Sequence, residues 1–117
     1  MPHCVIECPV ELREIVDFDI LVKAVHDATE ASGLFEKGDV KSRLVLARHY
    51  VVGGERVPYV HVIAHLLSGR STEQKQALSK SIAATLCELL PTVEWLSVDV
   101  KDIDRATYSN RKSLLNQ

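Results

Sequence analysis

Proline stands second in the chain, ahead of His3-Cys4-Val5-Ile6-Glu7-Cys8. Removal of Met1, which a small second residue permits, would turn the Pro2 nitrogen from an amide into a free secondary amine. An α-amino group titrates at about 7.7–8.0, and burial or neighbouring cations lower that by disfavouring its charged form. Pro2 is therefore a candidate proton shuttle; the plainer alternatives are that it opens an edge strand or protects the terminus. Arg70 directly precedes Ser71-Thr72-Glu73-Gln74, a capping-box pattern at a helix start. The unpaired amides and positive dipole end of that helix favour an anion, and a guanidinium beside them can clamp a carboxylate with two parallel hydrogen bonds. A solvated surface arginine is the competing reading. Lys41 and Arg43, two apart on a strand, project to one side and can offer two charges to one ligand, or form an ordinary charged strand end.

Other chemistries find less support. His61 and His65 lie about 13 Å apart on one strand face, unlike the helical i, i+4 pair that meets at one zinc, and His3, His26 and His49 are scattered, so no metal site is expected. There is no phosphate-binding G-x-x-x-x-G-K-[ST], no G-x-G-x-x-G and no nucleophile elbow. Cys4, Cys8 and Cys87 lack a C-x-x-C pair. On one strand Cys4 and Cys8 would sit about 13 Å apart, beyond disulfide reach, so buried structural thiols are expected.

The elements that must position these residues follow from periodicity. Residues 3–8 read as a strand ending before Pro9. Leu21, Ala24, Val25, Ala28 and Ala31 or Ser32 mark one face of a helix capped by Asp17 or Asp19 and closed by Gly33. Val40–Val51 reads as a second strand with a cationic beginning, and Tyr59–Leu67 as a third, with Val60, Val62, Ala64 and Leu66 on one face. Gly53-Gly54 suggests that these two form a hairpin, with Pro58 outside the ladder. Leu78, Ile82, Leu86 and Leu89 stripe a second helix that Pro91 stops, Val93–Ile103 is a fourth strand, and the polar residues from Asp104 form an arm. The order predicts an α/β (α+β) domain of two βαβ units, forming a four-stranded sheet with two helices on one face. The other face then keeps apolar area, around residues such as Ile63 and Trp95, that argues for subunit association.

The totals agree. At 117 residues the chain predicts a single domain, 1–117, large enough to bury a core without metal or disulfide. A formal charge of −2 offers no global basic footprint for nucleic acid. No apolar run approaches the roughly 20 residues of a membrane span, and no leader pattern precedes the first strand, so a cytoplasmic location without membrane partners is expected.

Met1-Pro2-His3 with Glu7-Cys8, Gly33-Leu34-Phe35 followed by Lys41-Ser42-Arg43, and Gly69-Arg70-Ser71 with Glu73 together resemble the 5-carboxymethyl-2-hydroxymuconate isomerase family of the tautomerase superfamily. The likeness spans nearly the whole chain in the same order. It implies the fold of 4-oxalocrotonate tautomerase and macrophage inhibitory factor, a homotrimer, no cofactor, and isomerisation of a small unsaturated hydroxy- or keto-carboxylate in aromatic catabolism. Pro2 would be the base and Arg70 would act with it, while Lys41 and Arg43 would bind substrate. One departure bears on substrate: the family pattern reads Arg-Ser-Arg where this chain has Lys41-Ser42-Arg43, and a lysine does not reproduce the bidentate fork of arginine. The macrophage-inhibitory-factor branch carries a C-x-x-C pair absent here. A non-catalytic trimer that binds small molecules, or serves structurally, on the same scaffold is the alternative.

Overall fold

The structure, a computed structural model, describes residues 1–116. Strand β1 (His3–Pro9) alternates buried Cys4, Ile6 and Cys8 with more open His3, Val5 and Glu7. A 3-10 turn at Val10–Glu14 leads to helix α1 (Phe18–Ala31). The Asp17 carboxylate caps α1 by accepting from the amides of Asp19 and Ile20 at 2.8 and 3.4 Å. Leu21, Val25 and Thr29 form its fully buried line. Thr29 belongs there because its hydroxyl donates to the Val25 carbonyl at 2.8 Å and lies 3.4 Å from the Cys4 sulfur, so its own buried oxygen is paired.

Strand β2 spans Lys41–Ala47, shorter than the Val40–Val51 read from sequence, and β3 spans Tyr59–Leu67. Helix α2 (Thr72–Leu89) opens on a complete capping box: Ser71 Oγ accepts from the Gln74 amide and the Gln74 side chain accepts from the Ser71 amide. Leu78, Ile82 and Leu86 are its buried stripe, and β4 follows at Trp95–Ile103. A 3-10 turn at Arg105–Thr107 and a short exposed helix α3 (Arg111–Leu115) make up the expected arm.

The sheet order is β2-β1-β3-β4, with β1 parallel to β2, β3 antiparallel to β1, and β4 parallel to β3. Each βαβ unit is thus parallel within itself, and the buried strand residues cluster with Leu21, Val25, Leu78, Ile82 and Leu86, which sets both helices on one face. Two expectations are corrected. Strands β2 and β3 form no hairpin: Gly53 and Gly54, both at positive φ, close a small turn bridging Val52 and Glu55, and the chain then crosses to the far side of β1. Pro58, which has no N–H, precedes β3 without entering its ladder. The first strand is central rather than at an edge, so Pro2 does not open an edge strand. Pro9 is tolerated at its far end because the pairing with β3 stops at Glu7, leaving Pro9 opposite only Ala47 of β2.

Cys4 and Cys8 are buried as expected, and burial pushes both thiols up, Cys8 to about 11 with help from Glu7. Cys87, by contrast, is exposed on α2. The open sheet face is mixed. Val5 and Ile63 meet at its centre and Val45 and Trp95 lie exposed toward one end, the apolar area expected there, while His3, Glu7, Lys41, Arg43, His61, His65, Ser97, Asp99 and Lys101 make up the rest.

Candidate active site

Strand direction decides what meets at one end of the sheet. Because β1 and β2 are parallel, Pro2, His3, Lys41 and Arg43 share an end. Because β3 runs against β1, its last residues return to that end, and His65 faces His3 in register. The following turn delivers Arg70 and the start of α2 there, and β4, parallel to β3, brings Ile103 and Tyr108 alongside. The loop after α1 arrives from the helix layer: the Arg70 guanidinium donates to the Leu34 carbonyl at 2.9 Å and stacks 4.9 Å over the Phe35 ring.

Pro2 is buried, and its carbonyl accepts from the Lys41 amide at 3.0 Å, which ties the chain terminus to the edge strand. The α-amino group of the chain, here on Met1, is held below its ordinary value first by burial and then by Lys41 and Arg70, with Asp39 pulling the other way. The topology therefore brings three of the sequence-derived candidates, Pro2, Lys41 and Arg70, around one amine.

Arg43 reaches a neighbouring part of the same end. On the open face its guanidinium lies 3.2 Å from His3 Nδ1. A shallow cavity of about 330 Å³ beside it is lined by Met1, His3, Arg43, His65, Ile103 and Tyr108. Between the two cations, Ser42 turns to the helix layer and meets His26 Nδ1 at 2.8 Å, while His26 Nε2 lies 3.2 Å from Glu30. This contact fixes the strand between Lys41 and Arg43 and leaves both pointing to the opposite face.

Arg70 differs from the free clamp expected of it. Besides Leu34 it donates to the Leu67 carbonyl at 3.3 Å, so part of its hydrogen-bonding capacity ties two loops together. Lys41 Nζ donates to the Asp39 carbonyl at 2.9 Å. Neither cation, nor Arg43, has a carboxylate partner within salt-bridge distance among the described residues. His3, His65 and Tyr108 were missed as site residues. Alternation along β3 already placed His65 on one face, but only the β1–β3 register sets it against His3. Among the described residues no cluster of three or more His, Cys, Asp or Glu could hold a metal ion, and no helix is long and apolar enough to cross a membrane.

Sheet order, paired helices on one face and a chain terminus among cations define a tautomerase-fold protein. Four matches to known proteins bear on this. The solved 5-carboxymethyl-2-hydroxymuconate isomerase from Deinococcus radiodurans R1 superposes with a TM-score of 0.81 at 19% identity, over 94% of this chain and 88% of that one. A wild-type fused 4-OT, solved as an asymmetric trimer, superposes at 0.76 with 22% identity, over 98% of this chain and 99% of that one. The 5-carboxymethyl-2-hydroxymuconate Delta-isomerase of Escherichia coli is 30% identical over 78 residues, which are 65% of this chain and 62% of that protein. The match thus spans less than two thirds of that relative's length. The family model described as 5-carboxymethyl-2-hydroxymuconate isomerase matches residues 2–114. The chain belongs to that family.

Proposed function

We propose that this protein is a cofactor-independent isomerase that moves a proton within a small unsaturated hydroxy- or keto-carboxylate, with Pro2 as the base once Met1 has been removed. The observation that carries the reading is the burial of the chain terminus beside Lys41 and Arg70, in a member of this family. Burial and like charge favour a neutral amine near pH 7, the form a base requires. Neutral Pro2 takes the proton from the enol or activated carbon of the substrate. Charge then develops on the carbonyl oxygen, where an arginine stabilises it, and the prolinium returns the same proton to a different carbon. Atoms balance without a co-reactant. Arg70 is the arginine beside the amine; Lys41 and Arg43 hold the substrate carboxylate.

The fused 4-OT neighbour was solved as a trimer, and this chain leaves apolar residues exposed at its sheet edges. Both support a homotrimer. The substrate belongs to the 2-hydroxymuconate type or the phenylenolpyruvate type, in keeping with a place in aromatic catabolism. A second reading, a trimeric binding protein without turnover, draws on Arg70, whose bonds to the Leu34 and Leu67 carbonyls equally suit a structural role.

Mass spectrometry of the purified chain should show Met1 absent, and ultraviolet-monitored assays should show turnover of one of these substrate types. Pro2→Ala should lower kcat by about 100-fold or more, the ordinary contribution of a positioned acid–base group. Retained methionine, or full activity in the variant, sinks Pro2 as base. Binding without turnover in the wild type favours the second reading.

A further inference from the structure

Arg43 carries out its part through a neighbour that the proposed chemistry does not use. Its Nη1 lies 3.2 Å from His3 Nδ1. A guanidinium has donors only, so the hydrogen bond exists only if His3 Nδ1 accepts, with the imidazole neutral and its proton on Nε2. His3 sits on the central strand, its backbone paired to Lys41 on one side and His65 on the other. Its backbone is therefore held by the sheet on both sides. The guanidinium, at the end of a long side chain on an exposed edge residue, has no carboxylate partner among the described residues to hold it.

We propose that His3 is a positioning residue: as a neutral acceptor it fixes the Arg43 guanidinium over the cavity beside the chain terminus, and on protonation it releases it. The inference rests on the reading of Arg43 as the group that binds substrate carboxylate. The groups around His3 all press toward the neutral form. Lys41 and Arg43 face it from β2, His65 from β3, and the chain's α-amino group lies beyond its own strand end, while Tyr108 closes the cavity from the arm. Burial first, then Arg43 and Lys41, hold His3 below its ordinary value. At neutral pH the bond is made. As pH falls through that lowered value, His3 gains a proton, loses its lone pair and sets a like charge against Arg43.

His3→Ala and His3→Gln separate this from a merely structural role, because the Gln amide oxygen accepts a hydrogen bond but does not titrate. His3→Ala should raise KM about tenfold with kcat within about twofold, the loss expected for a hydrogen bond to a charged group. His3→Gln should restore KM to within about threefold of wild type and abolish the rise in KM that the wild type shows on acidification. An unchanged KM in His3→Ala, or an acid rise that persists in His3→Gln, overturns the proposal. Titration of the His3 ring protons by nuclear magnetic resonance decides the pairing without turnover. In Arg43→Gln the midpoint should move up by at least about half a unit; an unmoved midpoint overturns it. Should the wild type turn over none of the tested carboxylates, the base assignment to Pro2 fails while this titration still reads the His3–Arg43 pair.

Discussion

Lys41 is bound to the chain terminus twice over, through its backbone amide on the Pro2 carbonyl and through the charge it places beside the α-amino group. The second contact has a signed consequence for the proposed reaction. A cation near an amine lowers its pKa, so the neutral base persists to lower pH and kcat/KM should climb through that lowered value as pH rises. Lys41→Gln removes one cation; its acid limb should therefore move to higher pH, by about half a unit or more in a pH–rate profile. A limb that stays put or moves down excludes Lys41 as the tuning charge. Position and spacing made Pro2, Lys41, Arg43 and Arg70 candidates, each beside a plainer alternative, and the family resemblance joined them. His3 and His65 stayed hidden. An imidazole gains a role only from what faces it, and here those neighbours come from strands far apart in sequence.

Among the elements, α2 links stability most directly to the site, since its capping box begins one residue after Arg70. Ser71→Ala removes the side-chain acceptor for the Gln74 amide and should cost about 1 kcal/mol, measured as a lower urea midpoint at unchanged slope. A midpoint within experimental scatter of wild type would show the cap to be dispensable. Ile82→Ala, in the fully buried stripe, should cost about 2–5 kcal/mol because a cavity adds to the lost transfer energy. Caps and stripes of this kind are local signals, which is why both main helices were legible in the sequence. The pairing of β3 was not. Gly53-Gly54 announces a tight turn, and one forms, but a turn cannot say on which side of β1 the chain continues. Thr29 escaped notice for a related reason: its hydroxyl is satisfied by the preceding turn of its own helix, a contact that polarity scales do not register.

At the scale of the whole molecule, the two edge strands leave apolar residues exposed, Val45 and Trp95 among them on the open sheet face. Val51 is 75% exposed, Val45 45% and Leu46 40% at the β2 side, where they line an open cleft of about 500 Å³ together with Tyr50 and Tyr59; Trp95, at the other edge, is 52% exposed. In an isolated subunit, Val51→Asp would change stability by no more than about 0.5 kcal/mol, as surface substitutions do. In the proposed homotrimer it buries a charge between subunits, so sedimentation should show trimeric wild type and a lighter variant at the same concentration. A variant that stays trimeric places the interface elsewhere.

One practical consequence follows from the central position of β1 and the bond that fastens the Pro2 carbonyl to Lys41. In the proposed reaction, any residue left attached ahead of Pro2 converts its nitrogen into an amide, which is no base at neutral pH. An affinity tag on the amino end that is not cleaved back to Pro2 should therefore yield folded but silent protein. The same tag fused beyond the exposed α3, where Leu114 and Leu115 already stand in solvent, should leave turnover intact.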